Sequence, residues 1–110
     1  MSGYVSIKSD VIRKLEENFS EMKEMFGIQQ LRLFGSVARG EDTESSDIDL
    51  LYAFLPETET YDSLLDLHDY LVSLFGREVD LVSEEWSQER FLKSALRDAC
   101  TIQTIEAVAP

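Results

Sequence analysis

A single cysteine, Cys100, and a single histidine, His68, stand in the 110 residues. The chain therefore offers no internal disulfide and no Cys/His set at zinc-ligand spacing, and the cytosol is the expected compartment. Positive charge is scarce as well. Ten basic residues against 22 acidic ones give a formal charge of −12, and the basic residues lie scattered between acids rather than gathered in a stripe. Such a surface repels a phosphate backbone, so nucleic acid is excluded as the expected substrate and a basic protein partner is favoured. Long hydrophobic runs are missing too. No apolar stretch reaches the ~20 residues that cross a bilayer, and Met1 to Asp10 lacks the basic start and apolar run of a signal peptide.

What is present suffices for one compact core. With 44% hydrophobic residues in 110, residues 1–110 are expected to form a single domain, undivided by a linker, a low-complexity tract or an internal repeat. Val11, Ile12, Leu15, Phe19, Met22 and Phe26 recur at helical spacing, which predicts an amphipathic helix from Asp10 to Phe26, with Ser9 or Asp10 as N-cap and Gly27 beyond its end. Ile28 to Phe34 reads as a short strand broken by Gly35-Ser36. Asp47 to Phe54 is almost wholly apolar after its two aspartates, as a strand covered on both faces would be. A loop follows at Pro56. Leu64, Leu67, Leu71 and Phe75 then predict a helix over Tyr61 to Phe75, closed by Gly76. Glu78 to Val82 is a third strand. Phe91, Leu92, Ala95, Leu96, Ala99 and Ile102 mark a C-terminal helix whose end is blurred by the β-branched residues from Thr101 to Ile105. Strands and helices alternate, which is an α/β (α+β) pattern.

Asp47 and Asp49 stand two apart on a predicted strand, so both carboxylates face one way while Ile48 turns into the core. At about 7 Å and an effective dielectric near 20 their repulsion is roughly 2 to 3 kcal/mol, a cost that calls for a cation. Mg²⁺ suits the pair, because it takes one or two carboxylates and fills its other positions with water and phosphate oxygens. Asp80 repeats the pattern on the third strand, between Val79 and Leu81. Three acids of this kind suit a site with two metal ions and in-line attack at phosphorus. Gly35-Ser36, at the end of the first strand, would open a short helix whose free NH groups cradle an anion. Arg39, one turn on, would neutralise phosphate or brace a carboxylate. Each piece has a plain alternative: Asp-x-Asp also occurs in caps and calcium loops, Gly-Ser is often only a turn, and Asp80 alone could be a solvated acid at a strand end.

Together, Gly35-Ser36-Val37-Ala38-Arg39-Gly40, Ser46-Asp47-Ile48-Asp49-Leu50 and Val79-Asp80-Leu81-Val82 closely resemble the signature of the DNA polymerase β-like nucleotidyltransferase superfamily. The Ala-Arg-Gly after Gly-Ser is similar to its minimal nucleotidyltransferase (MNT) group. The resemblance covers Leu31 to Val82 closely and the flanking helices loosely. It implies a small mixed sheet flanked by helices and two Mg²⁺ ions bound by Asp47 and Asp49. Asp80 would complete the site of the ion on the nucleophile side and help to deprotonate the acceptor. ATP would be the substrate, its triphosphate held by Gly35 and Ser36. It further implies a HEPN-domain ribonuclease toxin as partner, silenced when AMP is transferred to one of its tyrosines, as in type VII toxin–antitoxin systems.

Two rivals stand beside this reading. One is a small-molecule nucleotidyltransferase of the aminoglycoside kind, whose added drug-holding domain is not expected in a chain that ends at Pro110. The other is a non-catalytic acidic antitoxin that covers a basic toxin, which the charge of −12 fits equally. Apolar residues on the C-terminal helix would serve a homodimer, a partner interface or the core alike. His68, between Asp66 and Asp69, reads as a surface residue. Trp86 reads as packing on the last helix, and Glu41 to Ser46 as a solvated loop or a mobile lid.

Overall fold

The computed structural model describes residues 3–84 and 100–101. Its first helix, α1, runs from Lys8 to Phe26 and buries Val11, Leu15, Phe19 and Met22, the stripe that the sequence spacing marks. It begins earlier than expected. Ile7 is the N-cap residue and makes no side-chain cap, so Ser9 and Asp10 lie inside the helix, and the Ile7 amide is met by a carboxylate from far along the chain, Asp42, at 3.1 Å. At the other end Gly27 adopts φ 78° and donates its amide to the Lys23 carbonyl, a left-handed stop that glycine takes without strain.

The chain continues through β1 (Ile28–Phe34), α2 (Gly35–Arg39), β2 (Ile48–Phe54), α3 (Tyr61–Phe75), β3 (Val79–Ser83) and β4 (Cys100–Thr101). Thr60 caps α3 by accepting from the Ser63 amide at 3.0 Å, and Gly76 closes it. The strands form one mixed sheet in the order β3-β2-β1-β4. β1 runs antiparallel to β2 and to β4, and β2 runs parallel to β3. Among the described residues, no helix is long and apolar enough to cross a membrane.

Helix α1 packs on β1 and α3, and α3 packs on β3, so both helices cover the same face of the sheet. Phe19, Leu15 and Met22 meet Leu31, Leu33, Leu50, Leu67 and Leu71 there in one buried cluster, each contributing about 1.5–3 kcal/mol through burial. Ile48, Leu50 and Val79 join this cluster. Alternation therefore turns Asp49 and Asp80 to the opposite face. The C-terminal helix expected over Phe91 to Ala99, and Trp86 with it, lies outside the described residues. Cys100 and Thr101 do not continue that helix as far as Ile102. They are strand residues paired with Leu33 and Arg32, because the open edge of β1 offers hydrogen bonds that a β-branched segment accepts readily.

Candidate active site

Register brings the predicted residues together. Phe34, the last residue of β1, is paired with Asp49 of β2, and Asp49 is paired with Asp80 of β3, so both acids stand in one row across neighbouring strands. Asp47 precedes β2 by one residue and is exposed, Asp49 is half-buried, and Asp80 is exposed. Beyond Phe34 the chain turns at Gly35 into α2. Gly35 has φ 78°, and the space a Cβ would occupy there is already taken by the Asp49 carboxylate, whose Cγ would lie 3.1 Å away. The glycine thus lets the Asp49 side chain rest against the backbone that opens α2. Room for a phosphate was the reason the sequence suggested, and room for a carboxylate is what the structure shows.

Burial raises the Asp49 pKa above the ordinary carboxylate value. The charges of Asp80 and Asp47 raise it further, and Arg39 lowers it. The three acids and the arginine therefore share one electrostatic neighbourhood. Arg39 also donates to Glu41 at 2.9 Å, which keeps its guanidinium at the C-terminal end of α2. Ser36 is half-buried in the first turn of α2. Among the described residues, no group of three or more acids, histidines or cysteines is gathered closely enough to hold a metal ion by itself. An open row of hard oxygen donors with unbalanced negative charge fits Mg²⁺, which takes most of its ligands from phosphate and water.

A nucleotidyltransferase domain model matches residues 12–105. The chain belongs to the nucleotidyltransferase family, in its minimal group. Its relatives agree. It is 36% identical over 84 residues to a candidate protein adenylyltransferase of Methanocaldococcus jannaschii, covering 76% of this chain and 96% of that one. To the protein adenylyltransferase MntA of Thermococcus cleftensis it is 37% identical over 78 residues, covering 71% and 78% of the two chains. A solved candidate minimal nucleotidyltransferase superposes with a TM-score of 0.70 at 38% identity, over 83% of this chain and 92% of that one. The fold is shared, at 18% identity and a TM-score of 0.61, with a chain of the solved complex between the tri-AMPylated Shewanella oneidensis HEPN toxin and an MNT antitoxin; the match covers 86% of this chain and 71% of that one.

The loop that leads into Asp47 is tied to the N-terminal segment and to Arg77 by hydrogen bonds. Asp42 is buried and accepts from Tyr4 Oη at 2.6 Å, from Ser6 Oγ and from the Ile7 amide. Arg77 donates to the carbonyls of Thr43 and Ser46 at 2.9 and 3.1 Å, and its guanidinium lies over the Tyr4 ring. Neither Asp42 nor Arg77 stood out in the sequence, where one is an acid among acids and the other a lone base. Burial pushes the Asp42 carboxyl up, but the hydrogen bonds from Ser6, Tyr4 and Ile7 outweigh it and hold the pKa at about 2. A depressed pKa stabilises the fold above the unfolded value near 4, and the gain is lost as pH falls toward 2. Asp42→Asn should therefore cost on the order of 1–2 kcal/mol at pH 7, solvent screening allowed for. Urea denaturation of both proteins should show the gap closing between about pH 4 and pH 2.

Proposed function

We propose that this nucleotidyltransferase transfers AMP from ATP to a tyrosine hydroxyl of a HEPN-domain ribonuclease toxin, and that this modification makes it the toxin's antitoxin. The observation that carries the reading is the row of Asp49 and Asp80, with Asp47 beside it, backed by the start of α2 at Gly35. Relatives named as protein adenylyltransferases support it. So does the sharing of the fold with a chain from a toxin–antitoxin complex whose toxin carries AMP groups. The cytosol supplies ATP and Mg²⁺ to such an enzyme.

Gly35 and Ser36 would hold the triphosphate by backbone NH groups and the Ser36 hydroxyl, with Arg39 adding positive charge. The acceptor oxygen attacks the α-phosphorus, and the bond to the oxygen bridging the α- and β-phosphates breaks. Diphosphate leaves, and the hydroxyl proton passes to Asp80. Asp47 and Asp49 would hold two Mg²⁺ ions, with Asp80 sharing one, and bound metal supplies neutralisation of phosphate charge and a more acidic acceptor hydroxyl. What the chain itself would provide is alignment: Asp49 and Asp80 on β2 and β3, Asp47 just ahead of β2, and an anion cradle at the end of β1.

Intact-mass spectrometry of the cognate HEPN protein after incubation with this chain, Mg²⁺ and ATP tests the proposal. Gains of whole AMP units are expected, with none from Asp47→Ala. An unmodified toxin that is nevertheless bound and inhibited would replace this reading with that of an acidic cover.

A further inference from the structure

We propose that Arg77 is a positioning residue for Asp47: by clamping the loop ahead of β2 it fixes that carboxylate relative to Asp80. The inference rests on the metal-holding role proposed above for Asp47 and adds to it the side chain that keeps Asp47 in place.

Asp47 is exposed and lies just ahead of β2. The ladder between β2 and β3 begins one residue later, at the pairing of Ile48 with Val79. A residue at the end of a strand opens at little cost, whereas a carboxylate that shares an ion with residues on other strands must keep its place closely. Asp47 therefore needs a support that the ladder does not supply.

Both chain neighbours of Asp47 are tied to one short segment. On its C-terminal side the Ile48 amide donates to the Glu78 carbonyl at 3.0 Å. On its N-terminal side the Ser46 carbonyl accepts from Arg77 Nη1 at 3.1 Å, and the same nitrogen donates to the Thr43 carbonyl at 2.9 Å. The two N–H groups of one guanidinium nitrogen thus serve two carbonyls. These bracket a turn in which the Ser46 amide donates to the Thr43 carbonyl at 3.1 Å. Arg77 and Glu78 lead directly into β3, where Asp80 stands. The segment that carries Asp80 therefore grips Asp47 from both sides, and the two acids share one support.

Arg77 is itself held. Its guanidinium lies 5.9 Å from the centre of the Tyr4 ring, and the Tyr4 hydroxyl donates at 2.6 Å to Asp42, the residue before Thr43. A permanently charged planar group with a rigid fork of donors suits a clamp on backbone oxygens. Removing a group that orients a metal ligand without touching the ion typically weakens metal affinity about 10–100-fold.

Calorimetric titration with Mg²⁺ and an ATP analogue whose α- and β-phosphates are joined by a methylene group, which blocks transfer, tests this in a double-mutant cycle. Arg77→Met should weaken binding of the metal–nucleotide complex about tenfold in the wild-type background and less than about twofold in the Asp47→Ala background. Should Arg77→Met fail to melt cooperatively, Arg77→Gln, too short to reach both carbonyls, carries the same cycle with the same expected ordering. An equal loss in both backgrounds overturns the proposal, because Arg77 then does not act through Asp47. Unchanged binding in Arg77→Met overturns it as well, and both results leave the acids standing as the metal site. Wild-type protein that binds no metal–nucleotide complex overturns the metal-holding reading, and this proposal with it.

Discussion

Asp49→Asn is expected to lower AMP transfer by 10³-fold or more while raising the melting temperature of the metal-free protein at neutral pH. The activity loss would follow from removing the carboxylate proposed to hold the metal ions, whose neutralisation of the reacting phosphate would supply several kcal/mol. The gain in stability has the same origin. Burial and the charges of Asp80 and Asp47 raise the Asp49 pKa, so the folded state binds this proton more tightly than the unfolded chain does. The penalty is absent below the ordinary carboxylate pKa, grows as pH rises through the window above it, and is complete at neutral pH. Asparagine keeps the shape and removes the charge. The difference should show as a higher melting temperature of the variant at neutral pH, diminished by solvent screening because Asp49 is only half-buried. Thermal melts with a chelator present at pH 4 and pH 7.5 check the sign, since the advantage of the variant must shrink at the lower pH. A variant less stable than wild type at both values would show that Asp49 is held by favourable contacts and not under electrostatic strain.

Gly35→Ala is the second change with a large expected effect, and its cost has two separable parts. A non-glycine residue at φ 78° costs about 1–2 kcal/mol from backbone sterics alone. The added methyl group also meets the Asp49 carboxylate, whose Cγ would lie 3.1 Å from it, so the carboxylate must leave its place in the row or the turn into α2 must open. Either movement would misalign the acids with the proposed anion cradle, and transfer should fall at least 10²-fold. A double-mutant cycle with Asp49→Ala separates the parts by urea denaturation. With the carboxylate gone, the penalty of Gly35→Ala should shrink to the backbone cost. An equal penalty in both backgrounds would mean that the glycine does not serve Asp49.

Both predictions depend on residues that the sequence marks for different reasons. Asp49 is legible because an acid in an otherwise apolar strand has no packing explanation, and its period-two relation to Asp47 needs no structure to be seen. Gly35 is legible as a break after an apolar run, but that the break admits a carboxylate follows only from the pairing of Phe34 with Asp49. Asp42 and Arg77 escaped sequence reading altogether. Their partners Tyr4, Ser6, Ile7, Thr43 and Ser46 lie 31 or more residues away in most cases, and no local pattern encodes such contacts. His68 reads as a surface residue and stays partly exposed, and its position 3.5 Å from Glu78 follows only from laying α3 beside β3.

Local physical chemistry in the sequence determined the apolar stripe of α1, the glycine that ends it, the two apolar runs of β1 and β2, the Tyr61 to Phe75 span of α3 with Gly76 at its end, and the identity of the acids. These are short-range preferences, written in spacing of 3.6 and 2 and in the conformational freedom of glycine. Tertiary structure alone decided the strand order β3-β2-β1-β4, the parallel register that sets Asp80 beside Asp49, and the existence of β4. A two-residue strand has no signal of its own, because its hydrogen bonds form only when another strand's edge is there to receive them. Asp80 is an acid in a sequence, and it becomes part of a site because β3 pairs with β2 at that register.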